Sequence, residues 1–186
     1  MQNLELKAIV TEVGVDTYTI NRFQYKVIKV DFKELKGFKI LISLFDTVEV
    51  GDCIKFSHYR VTRMGTESNP VDLCLRVDKF EILPSEGFEP SEHLNVKVVG
   101  YLMGSSKCFL RTVGPEKKPF FLATLKMQDE CSKNFGIMLV SFGNNAKKIS
   151  TVKFNSLLEC VVTIKPKLVD PGYEMATVSL SIVKED

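Results

Sequence analysis

Thirteen phenylalanines and five tyrosines, with no tryptophan, share this chain with twenty-five lysines and arginines but only two histidines. That inventory is poor in catalysts. His58 alternates with Phe56 and Arg60, His93 follows a stretch rich in proline and glutamate, and neither has a serine or cysteine beside it in a nucleophile motif. No Gly-x-x-x-x-Gly-Lys segment cradles a phosphate and no Asp-x-Asp loop holds a metal. Ser105-Ser106-Lys107 resembles a catalytic pair, but Ser–Lys neighbours are frequent by chance. Flat rings interleaved with cations suit another chemistry, in which rings stack on planar ligands while cations neutralise a polyanion. The expectation is a binding protein rather than an enzyme, with no cofactor and no metal required.

Alternation along strands sorts the candidate side chains. In Phe38–Phe45, Phe38, Ile40, Ile42 and Leu44 would face a core, turning Lys39, Leu41, Ser43 and Phe45 outward. In Phe135–Phe142 the same rule sends Phe135, Ile137 and Leu139 inward and Met138, Val140 and Phe142 outward. Phe45 and Phe142 thus occupy matching outward positions, suited to stacking or to capping a barrel end. Asn21-Arg22-Phe23-Gln24-Tyr25-Lys26 offers either Arg22 with Lys26 or Phe23 with Tyr25 on its outer face. Of Phe120 and Phe121 one must point away from the core, and an exposed ring there needs a cover. That cover is a planar ligand, the other half of the chain or a partner protein.

Those two phenylalanine-bounded runs belong to a longer repeat. Each follows a pair of β-rich segments and precedes an irregular stretch, a long strand, a Gly/Pro turn and a final strand. The first half reads as strands at 4–15, 21–33, 37–46, 52–64 and 71–83, with a bulge expected in the second, where the apolar face shifts around Val27 and Ile28. The second half reads as strands at 94–104, 119–129, 134–142, 157–168 and 173–184. A short helix is expected from an Asn cap at Asn144. Between the halves, Leu83 to Glu92 combines two prolines, a glycine and glutamates without periodicity, which is linker chemistry. The expected domains are therefore 1–84 and 93–186, joined by a linker at 85–92.

Five strands with a longer connection between the third and fourth follow the plan of a small Greek-key barrel. With Gly51-Asp52 before strand four and the doubled plan, the chain resembles the tandem OB-folds of single-stranded nucleic-acid-binding proteins such as replication protein A. The implied fold is all-β, with two consecutive five-stranded OB barrels. The implied activity is binding of single-stranded nucleic acid, DNA favoured and RNA left open, with little sequence preference. Strands two and three and the loops joining strands one–two and four–five would supply the contacts. That selects Arg22, Lys26, Lys39, Phe45, Arg60 and Arg63 in the first half. In the second half it selects Phe120, Phe142, Lys165, Lys167 and Tyr173, with Lys107, Arg111, Lys117 and Lys118 from the long Met103–Pro119 loop. The chain departs from bacterial single-strand-binding proteins in lacking a glycine-rich linker and acidic tail, since Val183-Lys184-Glu185-Asp186 ends the last strand.

Bulk properties fit an intracellular protein of cytoplasm or nucleus. No apolar run approaches the roughly 18 residues of a membrane span, and Met1-Gln2-Asn3-Leu4-Glu5 lacks the basic start of a secretory signal. The scattered Cys53, Cys74, Cys108, Cys131 and Cys160 form no Cys-x-x-Cys pair, so buried thiols are expected rather than disulfides or zinc. Residues 1–84 carry 12 basic and 12 acidic side chains, whereas residues 93–186 carry 13 and 8. The second barrel is thus expected to make most of the electrostatic contact. The neutral first half suits the alternative role, a protein-interaction subunit that binds a partner or itself.

Overall fold

The computed structural model describes residues 4–64, 72–103, 110–128, 134–166 and 173–178. These form eleven strands and one short helix, in two compact units, the first running to Leu94 and the second beginning at Asn95. The class is all-β, in two sheets, consistent with an OB-fold.

In the first unit, β1 (Leu6–Ile20), β2 (Phe23–Asp31), β3 (Phe38–Ser43), β4 (Cys53–Met64) and β5 (Asp72–Leu83) pair in the order β1-β2-β3-β5-β4. β4 returns to β1 through Leu6↔Phe56 to Ile9↔Cys53, which closes the barrel. All these ladders are antiparallel except β3 on β5. Alternation supplies the core: Ile28 and Val30 of β2, Phe38, Ile40 and Ile42 of β3, and Leu75 and Val77 of β5 are buried. Each such side chain contributes about 1.5–3 kcal/mol on leaving water. Tyr59 is also buried, its ring meeting Phe56 edge-on at 5.7 Å, and burial pushes its hydroxyl up to about 12.

Three details differ from the sequence expectation. First, β1 runs to Ile20, and Asn21-Arg22 is not a strand start but the two-residue turn of a hairpin closed by Ile20↔Phe23. Both turn residues have positive φ, 48° and 72°, the type I′ geometry that matches strand twist. Second, the irregularities fall in β1, between Val10 and Glu12 and between Val13 and Thr17, while β2 pairs with β3 without a shift. The apolar shift at Val27 has another cause, a second cluster on the outer face. Third, Leu41 faces outward as expected but is 1% exposed, because it packs there with Tyr25 and Cys74, flanked by Ile20 and Val27.

The stretch at 85–92 is strapped to the first unit. Lys33 and Glu34 N–H donate to the carbonyls of Ser91 and Glu92, and Ser91 N–H donates to Lys7 O. Ser91 Oγ in turn accepts from Lys7 N–H at 2.9 Å, and Lys33 pairs with Glu89 at 2.8 Å.

The second unit holds β6 (Leu94–Leu102), β7 (Leu110–Val113), β8 (Lys118–Gln128), β9 (Asn134–Phe142), α1 (Gly143–Ser150), β10 (Leu157–Pro166) and β11 (Tyr173–Val178). Its sheet runs β6-β10-β11-β9-β8-β7, with a further pairing of β6 to β8. Six strands replace the five expected. The extra one, β7, lies inside the stretch read as an irregular loop, where Leu110-Arg111-Thr112-Val113 and Gly114-Pro115-Glu116-Lys117 form a hairpin onto β8. The helix begins two residues early: Phe142 is its cap residue, with no side-chain cap bond, and Asn144 lies in the first turn. Ala146 and Ile149 bury its inner face.

Gly14 in β1 and Gly100 in β6 serve the same purpose. An added Cβ would sit 2.7 Å from the Val27 carbonyl oxygen at Gly14, and 2.6 Å from that of Lys126 at Gly100. Neither strand could lie this close to its neighbour with a side chain there. Gly100→Ala should therefore cost about 2 kcal/mol and lower the melting temperature of the full chain by roughly 4–8 °C, measured by circular dichroism.

Candidate functional site

On the outer face of β2–β3–β5, the Tyr25–Leu41–Cys74 cluster forms an apolar floor. Beside it opens a cleft of about 510 Å³ lined by Arg22, Phe23, Gln24, Tyr25, Ser43, Phe45, Arg76, Val77 and Asp78. Phe45 is 83% exposed and Phe23 68%, an unusual cost for two rings on one cleft. Register explains their meeting. Tyr25 pairs with Ser43 and the Leu44 N–H donates to Gln24 O at 3.0 Å, so the ladder continues toward Phe23 opposite Phe45.

Cations frame this cleft. Arg22 stands at the hairpin tip with φ of 72°, a conformation costly for a side chain other than glycine or asparagine. Arg76 lies across from Leu41 on one side and Arg60 on the other. Its guanidinium forks onto Asp78, Nη2 donating to Oδ2 at 3.2 Å and Nε lying 3.0 Å from Oδ1. Lys39 shares this outer face at its far end, opposite Lys29. Arg63 does not: three residues beyond Arg60 on an unshifted ladder, it falls on the opposite face. Lys26 is also drawn away, its ammonium donating to the Asp46 carbonyl.

The second unit repeats the aromatic pair. Phe120 and Phe142 face each other across β8 and β9, at a constant offset of 97 residues from Phe23 and Phe45. Phe121 takes the core position and Phe120 the outer one. Its cover is Phe142, with centroids 5.2 Å apart and planes tilted 53°. Half-exposed Met138 extends the strip, with Leu122 and Val140 between them. Lys117 stands in the β7–β8 turn and Lys118 pairs with Glu116 at 3.0 Å. Arg111 lies in β7 opposite Phe120, Lys165 in β10 opposite Glu174, and Tyr173 begins β11 opposite Pro166. Lys107 and Lys167 lie outside the described residues.

Reading the sequence alone missed Arg76 and Asp78 and left the face of Phe23 and Tyr25 open. Phe23 and Tyr25 were legible as one of two faces, and the Asn-Arg turn with its β-branched flank Thr17-Tyr18-Thr19-Ile20 was the signal that could have chosen between them. Cys53, Cys74 and Cys160 are buried free thiols, and burial pushes the Cys160 thiol up to about 12, which makes it a poor nucleophile. Among the described residues no group of three or more His, Cys, Asp or Glu side chains could hold a metal, and no helix is long and apolar enough to cross a membrane.

Two solved structures share this fold over nearly the full chain. The single-stranded DNA-binding protein from Thermus aquaticus superposes with a TM-score of 0.68 at 12% identity, covering 99% of this chain and 93% of that one. A deletion mutant of that protein gives 0.65 at 14% identity, covering 100% and 96%. No protein-family model matches the sequence, and no curated protein does.

Arg22 tests whether the hairpin tip is shaped for folding or for something else. Arg22→Gly should leave the melting temperature unchanged or raise it, because glycine takes positive φ without strain. A fall of several degrees would mean that the arginine side chain holds the hairpin.

Proposed function

We propose that this protein binds single-stranded nucleic acid, DNA in preference to RNA, across the outer faces of β2–β3 and β8–β9. The observation that carries the reading is the cleft with two exposed phenylalanines, a tyrosine floor and flanking arginines. Bases stack on such rings whatever their identity, while cations follow the phosphates, so most of the contact tolerates any sequence. The likeness to the Thermus aquaticus protein, which carries single-stranded DNA binding in its name, supports the same conclusion.

In this reading both units are OB-type barrels. Leaving β7 aside, the pairings β6-β8-β9-β11-β10 follow the order of β1-β2-β3-β5-β4, and α1 lies along the chain between β9 and β10, the counterparts of β3 and β4. The contact set is Arg22, Lys39, Phe45 and Arg60, joined by Phe23 and Tyr25, in the first unit. Phe120 and Phe142, with Arg111, Lys117, Lys118, Lys165 and Tyr173, form it in the second. The first unit supplies stacking, and the second, with its excess of basic side chains, supplies phosphate contact.

Fluorescence anisotropy of labelled 15–30-nucleotide strands at two salt concentrations tests this. Binding should weaken with salt at a log–log slope of about −0.7 per phosphate neutralised. Phe45→Ala should weaken it about tenfold, the value of one lost stack, and Arg22→Gly should lower affinity without lowering stability. Absence of binding at low salt would leave a protein-interaction subunit as the function.

A further inference from the structure

The first-unit cleft contains a group that a purely electrostatic groove would exclude. Asp78 lines it, with a side chain 52% exposed, among Phe23, Phe45 and Tyr25. A carboxylate repels phosphates, so its presence reports on what else enters the cleft. Its placement is a matter of backbone geometry. The β4–β5 ladder runs Phe56↔Phe80, His58↔Lys79 and Tyr59↔Val77, passing over Ser57 on one strand and Asp78 on the other. Asp78 thus sits at an irregularity of the ladder, and it keeps the two-residue alternation of Cys74 and Arg76, which places it on the outer face. Arg76, only 19% exposed, donates from Nη2 to one carboxylate oxygen and sets Nε 3.0 Å from the other, which orients the group.

We infer that Asp78 makes this cleft a base-reading subsite that favours cytosine over thymine. The inference rests on the proposed binding of single strands and departs from sequence tolerance at this one position. Two pyrimidines stack alike on Phe23 or Phe45 and carry the same backbone. They differ at the 4-position, where cytosine presents an amino donor and thymine a carbonyl acceptor. They also differ at N3, which accepts in cytosine and donates in thymine, so the preference rests on the carboxylate meeting the 4-position. An ionised carboxylate only accepts hydrogen bonds. It gains a charge-assisted bond from the cytosine amino group and opposes the thymine carbonyl at the same place. Arg76 does not cancel this, because its Nε and Nη2 face the carboxylate. Arg76 is a positioning residue here, and Asp78 the one that meets the base.

The test compares labelled oligomers of deoxycytidine and thymidine of equal length, and a third of 5-methyldeoxycytidine, against the full chain by anisotropy. The 5-methylcytosine oligomer differs from the thymidine oligomer only where an amino group and a bare ring nitrogen replace the carbonyl and the imide N–H. Both cytosine oligomers should bind about fivefold tighter than thymidine. Asp78→Asn should collapse the ratio toward one, since an amide can turn either its donor or its acceptor to the base. Equal binding of 5-methylcytosine and thymine, or tighter binding of thymine, overturns the inference without any variant. A cytosine preference that survives Asp78→Asn in a variant with unchanged circular dichroism also overturns it. Failure of all three oligomers to bind contradicts the single-strand reading itself, whereas equal binding of all three contradicts only the subsite.

Discussion

Closure of the strand ladder is the constraint on which the first unit depends. β1 must pair with β2 along one stretch and β4 along another, and a flat strand cannot do both. Bulges at Val10–Glu12 and Val13–Thr17 bend it, and Gly14 lets it approach the Val27 carbonyl. Gly100 gives β6 the same close approach to β8. With the ring closed, strand edges no longer offer unpaired backbone, and the barrel interior is filled by Phe38, Ile40, Ile42, Ile28 and Leu75. What remains for function is the outer face.

That face is where the structure accepts cost. Exposed Phe23 and Phe45, the positive φ of Arg22 and a carboxylate beside the rings all oppose stability in isolation. They converge on one cleft. In the second unit the corresponding pair lowers its exposure by packing Phe120 on Phe142, which stays 43% exposed. The two faces thus share a design at a constant spacing and differ in state, one open and one covered by its own ring. A ligand entering the second face must compete with that ring contact, while the first offers its rings freely.

Much of this was legible in the residues. The doubling was visible because Phe38–Phe45 and Phe135–Phe142 repeat the same apolar alternation, and alternation placed Phe45, Phe142 and Met138 outward. It gave the right face for Leu41 but not its burial, because alternation assigns a face and not its solvent exposure. The outer face there is covered by Tyr25, Cys74 and Ile20, residues distant in sequence. Arg63 was misplaced relative to Arg60 by the same rule left unapplied over three residues. Alternation along Leu73–Asp78 places Asp78 outward beside Arg76, but its meeting with Phe23 and Phe45 depends on strands distant in sequence. β7 was hidden between a Gly-Ser stretch and a Gly-Pro turn that together resemble one long loop.

The claim at the centre is that bases lie against Phe23, Tyr25 and Phe45. Oligonucleotides carrying 5-iododeoxyuridine at single positions, photo-crosslinked to the protein and mapped by mass spectrometry, test it at residue level. Crosslinks are expected on Phe23, Tyr25 or Phe45, with a second set on Phe120 or Phe142. Crosslinks confined to other surfaces, such as β1–β4 or the 85–92 strap, would contradict it.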